Sequence, residues 1–244
     1  VDEVVRQFLD WDAARPYLPE LGRGFVKTLE LCFTAELIAL SLGLLLAIMR
    51  RLRGFRRPAP VRALAVLLRG LAIAYINVMR GLPAILVIFV LWASFPYFPV
   101  VKHMSDLQIG FLALGLVYAA YLAEVYRAGI ESVDRGQTEA ARSLGMTSGQ
   151  AMGLIVIPQA VRRMLPPFMN DFIALSKDTS LVTIISVSEV FTVARDAQSL
   201  ENSATPLVAA GLFYLAFTLP LIWIVDHIIR REQRRAGRGE IVIP

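Results

Sequence analysis

Two carboxylates seven residues apart, Asp171 and Asp178, stand inside the apolar run Met164–Val193. At 3.6 residues per turn they share one helix face, two turns apart. An ionisable side chain at mid-membrane costs roughly 2.5–3.5 kcal/mol on insertion scales, so each demands a partner, a water-filled cavity or a function. Pro166 and Pro167 suit a helix start, which places Asp178 roughly 18 Å along the helix, near mid-bilayer. The hydroxyls of Ser176, Thr179 and Ser180 stand beside it, and Lys177 points about 100° away. Carboxylates so placed could attract an amino or guanidinium group in a substrate cavity. Alternatively, one or both balance Lys177, Arg80 or Arg163.

A second polar group interrupts the run Val61–Val100, where Arg80 is followed by Gly81 and Pro83. A guanidinium at a helix break could grip a carboxylate bidentately, or it could simply stabilise the break. Asn77 and Tyr75 precede it closely enough to face the same cavity. Asn77, Arg80, Gly81, Asp171, Asp178 and Thr179 are therefore the candidate substrate-binding residues. Glu30 falls near the outer end of the first apolar run and Glu36 lies deeper, with no evident role. Glu124 is expected to pair with a loop arginine, while Asp226 and His227 border an interface where snorkelling explains them.

Such residues need apolar elements to hold them. The 244 residues are 56% hydrophobic and 18% charged, against about 45–50% and 25% in soluble domains. With a mean hydropathy of +0.58, this excludes a disordered chain and argues against a cytosolic enzyme. The single cysteine, Cys32, allows no intramolecular disulfide, and two distant histidines make a metal centre or catalytic triad a poor fit. No metal or cofactor is expected. The first 23 residues are polar and lack a basic stretch leading into a short apolar one, so no cleavable signal peptide is expected.

A membrane-spanning helix needs about 20 mainly apolar residues. Gly24–Met49, Val61–Val100, Leu107–Tyr126, Met164–Val193 and Leu207–Ile229 qualify, the second being long enough for one broken crossing or two. Loop charge decides between them, because Lys and Arg accumulate on cytoplasmic loops. With one crossing, three regions share a side: Arg50–Arg57, residues 127–163 and the tail from Arg230, each holding five arginines. The opposite loops, 101–106 and 194–206, hold one Lys or Arg each. The expectation is five spans, N-terminus outside and C-terminus in the cytoplasm. Residues 61–79 then form an interfacial or tilted approach. Residues 1–23 are an external segment, 24–229 the membrane domain and 230–244 a basic cytoplasmic tail. Gly115, Ala119 and Ala123 form a small-residue stripe that serves either packing within the subunit or a dimer contact.

Residues 127–163 are too long for a simple connector. Gly129–Gln137 reads as a polar turn and Thr138–Gly145 as a short helix, with Ala140, Ala141 and Leu144 at helical spacing on one side and Gly145 as its C-cap. A short helix projecting from a membrane protein can dock in a groove on a soluble partner.

Glu139-Ala140-Ala141, then Gly145, then Ile155-Val156-Ile157-Pro158 resembles the EAA signature of ABC-importer membrane subunits, with Ile157 where the family usually has Leu. The flanks, Ala120–Ile130, Gly136–Ala141, Met79–Pro83, Leu165–Pro167 and Lys177–Val182, are similar to the polar amino-acid uptake permeases, over about residues 24–229. The resemblance implies an all-α membrane protein of five transmembrane helices with a cytoplasmic coupling helix: a type I ABC importer transmembrane domain. It implies coupling through Gly136, Glu139, Ala140, Ala141, Gly145 and Pro158 to two cytosolic ABC ATPase subunits. A second permease, identical or paralogous, and an extracytoplasmic substrate-binding protein would complete the assembly in a prokaryotic cell membrane. It also places the Lys177–Leu181 run at the pathway. Similar permeases for basic amino acids carry an acidic residue at the position of Asp171, which hints at arginine, lysine or histidine.

The chain contains no G-x-x-x-x-G-K-[ST] phosphate loop, so ATP hydrolysis would fall to another polypeptide. Against this reading stand an ion-coupled secondary transporter, an importer permease for glutamate or glutamine, and a membrane anchor that only recruits a partner. The first would often show internal repeats, of which none is convincing here. The net charge of +5 sits at span ends without a nucleic-acid module, so no nucleic-acid partner is expected.

Overall fold

Helices occupy the apolar runs, and prolines, glycines and capping side chains set many of their limits. The computed structural model describes residues 2–52 and 58–237, and all regular structure among them is helical. Of the basic regions, Arg53, Arg56, Arg57 and Arg238, together with the side chains of Arg234 and Arg235, lie outside the described residues.

Two short helices, α1 (Asp2–Leu9) and α2 (Trp11–Ala14), lead into α3 (Leu18–Arg50). The carbonyl of Gln7 accepts from the Ala204 N–H at 2.8 Å, which ties this segment to the start of the last helix. After the basic loop come α4 (Ala59–Gly81), α5 (Ala84–Ser94) and α6 (Asp106–Glu131). Then follow α7 (Arg135–Ser143), α8 (Ser148–Ala151), α9 (Ile157–Asp178), α10 (Val190–Glu201) and α11 (Thr205–Gly237). Among the described residues, four stretches are long and apolar enough to cross a membrane: Trp11–Arg50, Ala59–Gly81, Asp106–Glu131 and Thr205–Arg231. Helix α9 is not among them, and it carries Arg162, Arg163, Asp171, Lys177 and Asp178.

The central pair is α3 with α6. A Cβ on Gly115 would lie 2.8 Å from Ile38, and one on Gly43 would lie 3.0 Å from the Ala119 carbonyl. Small residues on both helices thus let the backbones approach. Ala119 and Ala123 are fully buried and pack with Leu46, Ala72 and Ile76. The Gly115–Ala119–Ala123 stripe therefore packs inside the subunit.

Val61–Val100 divides into α4 and α5 at Leu82 and Pro83, which are extended. Helix α4, at 23 residues, could cross a bilayer by itself. Yet its buried contacts, through Ala72 and Ile76, gather near the Arg50 end of α3 and the C-terminal half of α6, and Arg80 reaches Glu124. Helix α5 covers the rest of the distance: Val87 and Ile88 pack beside Ile109 and Leu114, and the Trp92 indole donates to Asp106 at 2.9 Å. The two helices together run from one end of α6 to the other, which is the geometry of one broken crossing.

Three element limits differ from the sequence reading. Pro166 and Pro167 do not start a helix; they lie inside α9, where each lacks the N–H that would bond one turn back. The run Met164–Val193 is not one helix either. It ends at Asp178, tightens into the 3-10 segment Thr179–Ile185, and turns at Ser186, whose φ is 59°. Helix α10 then starts behind Glu189, whose carboxylate accepts from the Phe191 and Thr192 N–H groups. Finally, α6 continues to Glu131, and α7 begins at Arg135 because Asp134 caps it.

Candidate substrate cavity and coupling helix

Asp171 and Asp178 line one cavity of about 430 Å³. Its walls are Leu82, Pro83, Ala84 and Ile85 at the α4–α5 break, Val117, Tyr118 and Tyr121 on α6, Ala174 on α9, and Leu181 beyond it. Without the break, continuous helix would occupy this place. The phenol of Tyr118 donates to Asp178 at 2.8 Å. Tyr118 lies near the middle of α6, so the cavity sits about halfway along the longest-buried helix of the bundle.

Neither carboxylate has a basic partner among the described residues. Lys177 is exposed. Arg163 donates to the carbonyl of Ser132. Arg80 lies 3.5 Å from Glu124 and 5.8 Å from the Tyr121 ring centroid. It lines a second cavity with Glu124, Arg127 and Met164. Glu124 is the hub there, taking Arg50, Arg80 and Arg127, as the expectation of a basic partner for this residue requires.

The other sequence candidates fall elsewhere. Asn77 is exposed on α4, and Gly81 is the last residue of that helix with open space beside it. Thr179 is fully buried, its hydroxyl donating to the Ser176 carbonyl at 2.7 Å. Tyr75 donates to the Leu116 carbonyl at 2.8 Å. Sequence reasoning missed Tyr118 and Tyr121, although two tyrosines one turn apart in an apolar span are a usable signal. It also passed over Glu189, fully buried yet satisfied by Thr28, Thr192 and Tyr214 besides the backbone. Burial with that many donors makes Glu189 a structural knot between α3, α10 and α11. Glu36 is different: its Oε2 is buried without a hydrogen-bond partner.

At one end of the bundle, α7 projects on the turn after α6. The Asp134 carboxylate accepts from the Gly136 N–H at 2.7 Å. Gly145 closes the helix with φ of 87°, and the Met146 N–H donates back to the Ala141 carbonyl. Only Ala141 of the apolar set is buried; Glu139 and Ala140 are exposed, and Leu144 is 84% exposed. Most of the Ala140–Ala141–Leu144 set therefore faces outward. Thr147 and Gln150 form a capping box for α8, and the π segment Met152–Val156 joins it to α9, with Pro158 in the first turn.

A helical membrane bundle with a polar cavity and a projecting amphipathic helix defines a transport permease. Residues 39–234 match the model of the binding-protein-dependent transport system inner membrane component, and the chain belongs to this family. It is 35% identical over 229 residues to the glutamate/aspartate import permease protein GltK of Escherichia coli, covering 91% of this chain and 97% of that one. It is 31% identical to the arginine transport system permease protein ArtQ of Bacillus subtilis, with the same coverage. The crystal structure of an amino acid ABC transporter with histidines superimposes with a TM-score of 0.79 at 31% identity, covering 91% of this chain and 98% of that one. The molecule is thus a membrane-spanning permease of an amino-acid ABC importer. Such permeases are transport components that work with an ATPase and a substrate-binding protein.

Proposed function

We propose that the chain forms a translocation pathway for an amino acid with a cationic side chain, and that Asp171 and Asp178 supply its counter-charge. The supporting observation is that both carboxylates line one cavity with no basic side chain among the described residues paired to either. Within an apolar bundle, such a pair favours an ammonium or guanidinium group, which offers charge-assisted hydrogen bonds. Arg80, engaged with Glu124, serves the helix break rather than the substrate carboxylate. The N-terminus lies outside and the C-terminus in the cytoplasm, because the arginine-rich ends of α3, α6 and α11 then share the cytoplasmic face. Helix α7 docks in a separate ATPase, presenting Glu139, Ala140 and Leu144, with Gly136 and Gly145 shaping its ends.

A second reading, an acidic or amide substrate, is favoured by the similarity to GltK. It requires a second permease to supply the basic groups. Ligand binding to the purified complex across a panel of amino acids separates the two. Arginine or lysine should bind, and Asp171→Asn should weaken that binding roughly ten-fold or more, the usual loss for a charge-assisted hydrogen bond. Binding of glutamate with no effect of Asp171→Asn would favour the second reading.

A further inference from the structure

A cavity larger than the one that holds Asp171 lies elsewhere in the bundle. It measures about 1120 Å³ and lies at the end of the bundle where α3 and α6 finish. Arg50, Arg51, Arg69, Arg127 and Arg135 line it, against Glu131 and Glu139. Glu131 is already taken by Arg127, and Arg50 and Arg127 share Glu124. Arg51, Arg69 and Arg135 make no ion pair among the described residues. Three guanidinium groups from three different parts of the chain therefore converge on one space where Glu139 is the one lining carboxylate left without an ion pair among the described residues, so the space is net positive.

Arg69 sits on α4, and the surroundings of that helix indicate the ligand. Val61, Leu64, Val66, Leu67 and Leu71 are all exposed. At 100° per residue Val61, Leu64, Leu67 and Leu71 fall within one arc of about 120°, with Val66 apart, so they form an apolar stripe along the helix that acyl chains can cover. Arg69 stands about 80° round the helix from the nearer edge of that stripe, so an apolar surface for acyl chains lies beside a basic cavity for a headgroup. Basic pockets between helices at a membrane surface take anionic lipid headgroups, and guanidinium groups grip phosphate bidentately.

We infer that this cavity binds the phosphate of an anionic phospholipid, with its acyl chains lying along α4. The lipid bridges α3, α4 and the start of α7, so it fixes the coupling helix relative to the bundle. Free inorganic phosphate shares the headgroup chemistry but lacks the acyl contacts with α4.

The test uses the complete transporter, delipidated in detergent and incubated with equimolar phosphatidylglycerol and phosphatidylcholine, with retained lipid counted by native mass spectrometry. Wild-type protein should retain phosphatidylglycerol in preference. R51A/R69A should lose about thirty-fold in affinity for it, at roughly five-fold per arginine, and R51K/R69K should recover most of that. Displacement of the lipid by inorganic phosphate at the lipid's own concentration would overturn the inference. So would unchanged lipid retention by R51A/R69A, whether or not that variant sheds its ATPase or second permease. If the alanine variant does not fold, wild-type protein still decides: no preference for phosphatidylglycerol overturns it.

Discussion

Within the carboxylate cavity, Asp178 has a donor in Tyr118 while Asp171 pairs with no basic group among the described residues, so the two acids differ in readiness for a ligand. Tyr118→Phe removes that donor and leaves Asp178 freer to meet a cation. Affinity for a cationic amino acid should rise or hold in Tyr118→Phe and fall in Asp171→Asn, as titration calorimetry would show. Glu124 behaves oppositely, since it is held by three arginines. Glu124→Gln should destabilise the complex by about 1.5–3 kcal/mol, the range for hydrogen bonds to charged groups, seen as a lower thermal midpoint. The pairing of Glu124 was legible from its place one turn before the basic loop. The diversion of Arg80 to Glu124 was not, because it depends on how α4 crosses α6, and no local pattern encodes that crossing.

Elements follow the same division. The α4–α5 break was legible because proline cannot continue a helix and restricts the residue before it. The left-handed Gly145 was legible for a similar reason. Pro166 and Pro167 misled: prolines favour first turns, yet here the packing of Val156, Ala160 and Met164 with Val133 carries the helix through them. The start of α7 was read late because Asp134 caps it through a side chain whose orientation sequence does not fix. Gly145→Val should cost about 1–2 kcal/mol locally, since a β-branched residue is penalised in the left-handed region. ATPase stimulation by substrate should fall while membrane insertion holds, and Gly145→Asn should retain most of it. Gly115→Leu, by contrast, would drive a side chain into Ile38, and folded protein recovered from membranes should drop sharply.

At the scale of the whole molecule, most of the charge reports orientation and only a small remainder reports chemistry. In the proposed orientation the ends of α3, α6 and α11 that carry arginine clusters in the sequence share the cytoplasmic face, and residues 101–106, at the opposite end of α6, lie outside. In a Cys32→Ser background, a membrane-impermeant maleimide should label Met104→Cys in intact cells and Ser143→Cys only after permeabilisation. The reverse pattern would invert the topology. The central claim is that the Asp171–Asp178 cavity carries a cationic amino acid, and ATP-driven uptake by the complete transporter in proteoliposomes tests it most directly. Radiolabelled arginine should accumulate with the wild-type chain and much less with Asp171→Asn, while unlabelled glutamate should not compete. Equal arginine uptake by both, or competition by glutamate at arginine's own potency, would contradict it.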